Sequence, residues 1–215
     1  MSLDSDDGPD GLHGEVGVLM DTWFGRMADI PGIQFRGSPG VDRSRLPEAN
    51  MRPSTGYGYL HWPTSDGTTS ASPAHRRWTV DMRSMAPDAL VHWVWEGLEV
   101  PGLPSDYHFL LQGAVERLWA GRASYPIGLQ HVEAFASADL MLIEAVPQIA
   151  LRDSARPSEG FLRISSLDVL LTLLEQEGAV REALALSRRA QRIGGEAFVR
   201  DDLEAKVAAL DGEGW

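Results

Sequence analysis

Four arginines near the C-terminal end are the residues whose type and spacing best predict a binding function. They are Arg181, Arg188, Arg189 and Arg192. The first, second and last are spaced i, i+7 and i+11, so a helix would place their guanidinium groups on one face. The chain has a formal net charge of −12, and guanidinium groups bind carboxylates through paired hydrogen bonds. We therefore predict that this strip docks an acidic segment of a protein partner; a solvated helix face, partly paired to Glu182, is the alternative.

Histidines could supply acid–base or metal chemistry, and all of them precede the arginines. They are His13, His61, His75, His92, His108 and His131. None has a zinc-type spacing and the chain has no cysteine, so we predict no metal, no cofactor and no thiolate nucleophile. His92 and Glu96 would share a helix face at i, i+4. The sequence contains no nucleophile elbow, phosphate-binding loop or dinucleotide fingerprint, and we assign no catalytic residue.

Residues 1–11 form an acidic stretch with a partial calcium-loop pattern. Positions 1, 3, 7 and 12 of that loop would be Asp4, Asp6, Asp10 and Glu15. However, Gly8 stands at the fifth ligand position and Pro9 where the loop needs its glycine. We therefore predict a disordered, solvated tail.

The elements that must position the arginines are two helices between Ser165 and Ile193. The apolar face of the first consists of Leu167, Leu170, Leu171 and Leu174. Gly178 suits a helix C-terminus, and Gly194 and Gly195 end the second helix. The inner face of that second helix consists of Ala183, Leu186, Ala190 and Ile193. This pattern predicts an αα-hairpin, which we expect to organise the rest of the chain and which needs neighbours to bury both faces.

The hairpin resembles a tetratricopeptide-type repeat, which uses large apolar residues in its first helix and two alanines in its second. The matching positions are Leu167, Leu170, Leu174, Ala183 and Ala190, whereas Leu171, Ser187 and Gly195 depart from the pattern. From Tyr107 onward, the order of segments also resembles a helical C-terminal module of uncharacterised bacterial proteins. The resemblance implies stacked hairpins that bind another protein. A plain helical bundle without repeat ancestry is the alternative.

Other patterns predict further helices in the second half of the chain. We expect them at Ala89–Leu98, Ser105–Gly121, from Pro126 to about Val146, and Glu196–Leu210, with a polar linker at 151–160. Ala89–Leu98 could instead be a strand. Ser105 is the predicted N-cap of its helix, whose inward positions are Leu111, Val115 and Leu118. The inward positions of the last helix are Phe198, Leu203, Val207 and Leu210.

The first half of the chain is broken by proline and glycine and predicts little helix. We expect an amphipathic helix at Val16–Ala28, a strand at Tyr57–Trp62, a flexible loop at Thr64–Ser72 and a second strand at Arg76–Met82. The two strands would pair as a long-looped hairpin. Four tryptophans could form the core here or, alternatively, an interface patch; they are Trp62, Trp78, Trp93 and Trp95.

Together these elements predict a mostly α fold of stacked αα-hairpins with an irregular N-terminal segment. We place the tail at 1–11, the irregular segment at 12–85, packing on the helices, and the helical-repeat domain at 86–211. The acidic balance disfavours nucleic acid and anionic membranes as partners. No apolar run is long enough to span a membrane and no leader is visible, so we expect a cytoplasmic protein.

Three functions are compatible with these predictions. The preferred hypothesis is a non-enzymatic protein–protein interaction module, with an unidentified protein partner and a homodimer left open. The second is a small-molecule hydrolase or binding enzyme, with a site around His61, His75 and His92 between the N-terminal segment and the helices. The third is an acidic immunity or inhibitor protein that blocks a basic partner through a contiguous negative surface.

Overall fold

The computed structural model of the protein describes residues 26–56 and 58–212. The tail, its calcium-loop acids and His13 lie outside these ranges, as does most of the predicted helix Val16–Ala28. Only the end of that helix is described, where Met27–Asp29 forms a 3-10 turn that buries Met27.

Seven α-helices and three short strands form the regular structure of the described residues. The helices are α1 (Pro73–Trp78), α2 (Pro87–Gly97), α3 (Pro104–Ala120), α4 (Gly128–Ala145), α5 (Ser165–Gln176), α6 (Val180–Gly194) and α7 (Asp201–Gly212). The strands are β1 (Ser54–Gly56), β2 (Tyr59–Thr64) and β3 (Gly67–Thr69). The predicted mostly α fold, with stacked helices and a small β element in the N-terminal region, is confirmed.

The helices stack in chain order, each packing against the next. α3 lies at the centre of this stack, since it contacts α1 and α5 as well as its neighbours α2 and α4. One face of α3 is correspondingly buried, with Leu111, Val115 and Leu118 in the core as predicted. The predicted hairpin, α5 and α6, packs towards one end of the stack, so α3 and not the hairpin is the organising element.

Proline sets the start of the first three helices. Pro73, Pro87 and Pro104 each occupy the first turn, where a residue without an N–H loses no helical hydrogen bond. Ala89–Leu98, for which helix and strand were the two alternatives, is helical, because it follows the proline that starts α2. Ser105 is not an N-cap, because α3 begins one residue earlier and the carboxylate of Asp106 accepts the N–H of the preceding loop residue at 2.8 Å.

The small sheet differs from the predicted hairpin. β2 pairs with both neighbours, His61 facing Ser54 on β1 and Trp62 facing Thr69 on β3. The predicted loop Thr64–Ser72 therefore contributes a strand, because the tight turn at residues 65–66 ends at Gly67, whose φ of 141° favours glycine, and the chain then folds back onto β2. The predicted strand Arg76–Met82 is wrong: Ser72 and Pro73 start a helix there instead.

The hairpin α5–α6 forms where it was predicted. Gly178 has φ 74° after the end of α5, the left-handed conformation that favours glycine. Ala183 and Ala190 are buried at 0% and 4% exposure, so the two helices cross closely. Leu174, Leu186 and Ile193 pack against the core but are only partly buried.

The C-terminal helix starts later than predicted. A 3-10 turn, Gly195–Phe198, precedes α7, whose Leu203 is fully buried. Leu210 is 47% exposed, which contradicts the prediction that it faces inward. α7 is the last helix of the described stack, so no later described helix covers its outer side. No helix among the described residues is long and apolar enough to cross a membrane.

Candidate functional site

Two arginines of the predicted strip, Arg181 and Arg188, link α6 to α7. NH2 of Arg181 lies 2.5 Å from Oδ1 of Asp211, and NH2 of Arg188 lies 3.2 Å from Oε1 of Glu204. The hydrogen bond between Arg181 and Asp211 raises the pKa of Arg181 and lowers the pKa of Asp211. All four side chains are more than half exposed, so solvent screens these pairs and they contribute little to stability.

The other two, Arg189 and Arg192, share one carboxylate on α4. Arg189 donates from Nε and NH2 to the two oxygens of Glu144, each at 2.5 Å, and these bonds raise the pKa of Arg189. NH2 of Arg192 lies 3.9 Å from Glu144, beyond hydrogen-bonding distance, and the Arg192 side chain is 72% exposed. Arg192 is therefore the least engaged member of the strip.

The three histidines of the enzyme hypothesis each contact a different group. Nε2 of His61 lies 3.2 Å from a backbone carbonyl of β1, and Nε2 of His92 lies 3.1 Å from Glu96 one helical turn away. Nδ1 of His75 lies 3.0 Å from Asp106 on α3. Within the described ranges no hydrogen bond or ring contact joins two of these histidines, and no group of three or more His, Asp or Glu side chains could hold a metal ion.

Asp106 is the centre of a polar group that we call the His75 cluster, formed by Ser72, His75, Trp78 and Asp106. The Asp106 carboxylate is buried and accepts four hydrogen bonds. The donors are Oγ of Ser72 (2.7 Å), N of Leu103 (2.8 Å), Nδ1 of His75 (3.0 Å) and Nε1 of Trp78 (3.4 Å). Both carboxylate oxygens are thus occupied, and α1 is held against the start of α3.

This cluster orients the His75 ring through one nitrogen and leaves the other nitrogen without a described hydrogen bond. Because a carboxylate has no proton to give, Nδ1 donates, and Nε2 of the neutral ring carries the lone pair. The His75 side chain is 39% exposed, so Nε2 can be reached from solvent. The local cause is the start of α1: Oγ of Ser72 accepts the backbone N–H of His75 at 2.9 Å and donates to Asp106.

A second histidine–aspartate pair lies deeper in the stack. Nδ1 of His108 on α3 lies 2.6 Å from Oδ1 of Asp139 on α4, and Oγ of Ser166 on α5 donates to Oδ2 at 2.6 Å. All three residues are at most 1% exposed. Burial raises the pKa of Asp139, while the bonds from His108 and Ser166 oppose that rise. This depth indicates that the pair is structural.

The four tryptophans do not form one cluster. Trp62 is a residue of β2 and is buried at 1% exposure, whereas the other three are partly buried against different neighbours. The guanidinium of Arg77 lies 4.0 Å from the ring centre of Trp93, which suits a cation–π contact. Trp78 packs on Phe109, and Trp95 packs against α4. Trp78, Trp93 and Trp95 thus pack against neighbouring side chains of the same chain.

A cavity of about 580 Å³ lies between α3 and the 3-10 turn Met82–Ser84; we call it the α3 cleft. Its charged lining residues are Asp81, Arg83, Glu116 and Arg117, and its remaining lining consists of Val80, Met82, Gly113 and Ala120. Several of these side chains are exposed, so the cleft opens to solvent.

The histidines stand out in the sequence, but their aspartate partners do not. Asp106 and Asp139 each follow their histidine by 31 residues, a spacing that only helix packing turns into contact. The one local signal was Ser72-Pro73 three residues before His75, the start of a capped helix. The α3 cleft had no local signal, because its two walls are about 30 residues apart in the chain.

Comparison of the chain with protein-family models, curated proteins and solved structures gave no match. The stacked helices are compatible with a helical repeat. The tetratricopeptide resemblance therefore rests on the residues of α5 and α6 alone.

Proposed function

We propose that the protein is a non-enzymatic protein-binding module of tetratricopeptide-like stacked helices, and that the arginine strip of α6 docks an acidic segment of its partner. The observation that carries the proposal is the imbalance within the strip. Its four guanidinium groups pair with three carboxylates, those of Asp211, Glu204 and Glu144. Glu182 on the same helix also acts electrostatically on Arg181, so Arg192 is the arginine of the strip without a close carboxylate among the described residues, on a chain of net charge −12.

Arg192 is the group that a partner would engage first. Its distance of 3.9 Å from Glu144 leaves its five N–H donors without a described hydrogen bond, and it lies on α6 two residues after buried Ala190. A partner carboxylate can bind it without displacing an internal bond. Arg181 and Arg188 would follow by exchanging their exposed, screened carboxylates for those of the partner.

The test is a charge-matched comparison of two triple variants. Arg181, Arg188 and Arg192 are changed to glutamine in one; Arg36, Arg52 and Arg152, exposed arginines without a described ion pair, are changed in the other. Both lose three positive charges. The first should lose partner capture from a native extract at low salt, and the second should retain it. Equal capture by the two variants would contradict the proposal.

The His75 cluster favours a second candidate, a hydrolytic enzyme that uses His75 as a base. A buried aspartate that orients Nδ1 and leaves Nε2 open is the arrangement by which catalytic histidines accept a proton. A panel of ester and amide substrates tests this candidate: turnover should be lost in His75→Gln and retained in His92→Gln. No contact favours the acidic-inhibitor hypothesis, since many of the described acids are paired with arginines of the same chain.

A further inference from the structure

The α3 cleft has the size and lining of a small-molecule site. Its volume of about 580 Å³ falls within the range of such sites. Val80, Met82 and Ala120 give it an apolar wall. Gly113 makes room for that wall, because a Cβ there would lie 2.5 Å from Cε of Met82. The methionine side chain can therefore lie flat against α3.

Four charged side chains line the cleft, and none of them has an ion-pair partner within 4.0 Å in the described part of the chain. Arg83 makes no described side-chain bond, and Nε of Arg117 donates to the Arg83 carbonyl at 3.3 Å. Asp81 accepts a backbone N–H at 3.1 Å. Glu116 accepts the hydroxyl of Ser165 at 2.6 Å. Arg76 and Arg77 on α1, and Arg181 and Arg189 on α6, by contrast, pair closely with carboxylates of the same chain.

The geometry points to a binding site for a small zwitterion with an apolar side chain, such as an aromatic or aliphatic α-amino acid. Its carboxylate would bind Arg83 and Arg117, its ammonium group Glu116 and Asp81, and its side chain the apolar wall. The four lining charges sum to zero. A plain anion would be repelled by the two carboxylates and by the net charge of −12, and a plain cation by the two arginines.

A panel of three related ligands tests this assignment on the full-length chain. L-Phenylalanine carries both charges, N-acetyl-L-phenylalanine only the anion, and L-phenylalaninamide only the cation. Titration calorimetry should show saturable binding of L-phenylalanine or L-leucine, and about tenfold weaker binding of both single-charge analogues. Absence of saturable binding by both amino acids up to about 10 mM, a range that includes weak small-ligand sites, would overturn the inference.

Two variants locate the site within the molecule. Arg117→Gln should weaken binding of the amino acid about tenfold but leave that of L-phenylalaninamide unchanged, because only the carboxylate contact is lost. Glu116→Gln, which keeps an acceptor for Ser165, should weaken the amino acid and spare the N-acetyl analogue. Arg36→Gln and Glu133→Gln, exposed residues away from the cleft, are the matched controls.

If the cleft variants bind as the controls do, the ligand lies elsewhere and the inference is wrong. The result is independent of the proposed protein-binding function, because none of these changes touches the arginine strip on α6. Melting temperatures of all four variants, measured without ligand, separate lost binding from lost structure.

Discussion

Nδ1 of His108 lies 2.6 Å from Oδ1 of Asp139 in the centre of the helical stack, where neither residue is more than 1% exposed. Ser166 completes the group from a third helix. One carboxylate therefore holds α3, α4 and α5 together. A buried charge is costly unless it is fully hydrogen-bonded, so this group specifies how the three helices meet.

Replacing Asp139 by alanine should destabilise the protein by about 3 kcal/mol or more, because His108 and Ser166 lose their acceptor in a dry site. Asp139→Asn should be milder by at least about 1 kcal/mol, since the amide can accept one bond and donate another. Urea unfolding of the three proteins measures the difference. Equal losses in the two variants would mean that the amide restores neither bond and that the carboxylate itself is required at this position.

The raised pKa of Asp139 predicts the sign of a pH effect. Between the unfolded value of 3.8 and the raised folded value, the native state holds more protons than the unfolded state. Stability from this group is then lost as the pH rises. The free energy of unfolding of the wild type, relative to Asp139→Asn, should fall as the pH rises above about 3.8. A relative rise would show that the two hydrogen bonds outweigh burial.

The close crossing of α5 and α6 predicts a sharp difference between two alanines on α6. Ala183 is fully buried, so Ala183→Leu should overpack the crossing and lower stability by about 1–3 kcal/mol. Ala185 on the same helix is exposed, and Ala185→Leu should be nearly neutral. Thermal unfolding distinguishes them; an unchanged melting temperature for Ala183→Leu would move the crossing elsewhere.

Gly102 lets the chain before α3 approach α1. A Cβ on this glycine would lie 2.3 Å from Cβ of Ala74, and the backbones are joined there by a 3.0 Å bond from Ala74 N to Pro101 O. Gly102→Ala should therefore lower stability by about 2 kcal/mol or more, since neither atom can rotate away. Gly212→Ala, with open space around its Cβ, is the control for urea unfolding. Similar midpoints for both would contradict this close approach.

The sequence by itself determined the elements whose signals are local. The hairpin α5–α6 follows from leucine spacing, a left-handed glycine and two alanines, all within about 30 residues. Proline at the first helical turn likewise predicted α2. The prediction of a strand at Arg76–Met82 was wrong, because alternation over a few residues is compatible with both a strand and a helix. The N-cap from Ser72 favoured the helix.

Only the tertiary structure decided which side chains meet. Asp106 and Asp139 each contact a histidine that is 31 residues away in the chain. Arg189 contacts Glu144, which is 45 residues away. The α3 cleft likewise exists only where the turn at Met82 packs on Gly113. Periodicity shows which face of a helix is apolar. Which other helix packs against that face depends on the whole stack. That packing decides which charged side chains come close to one another.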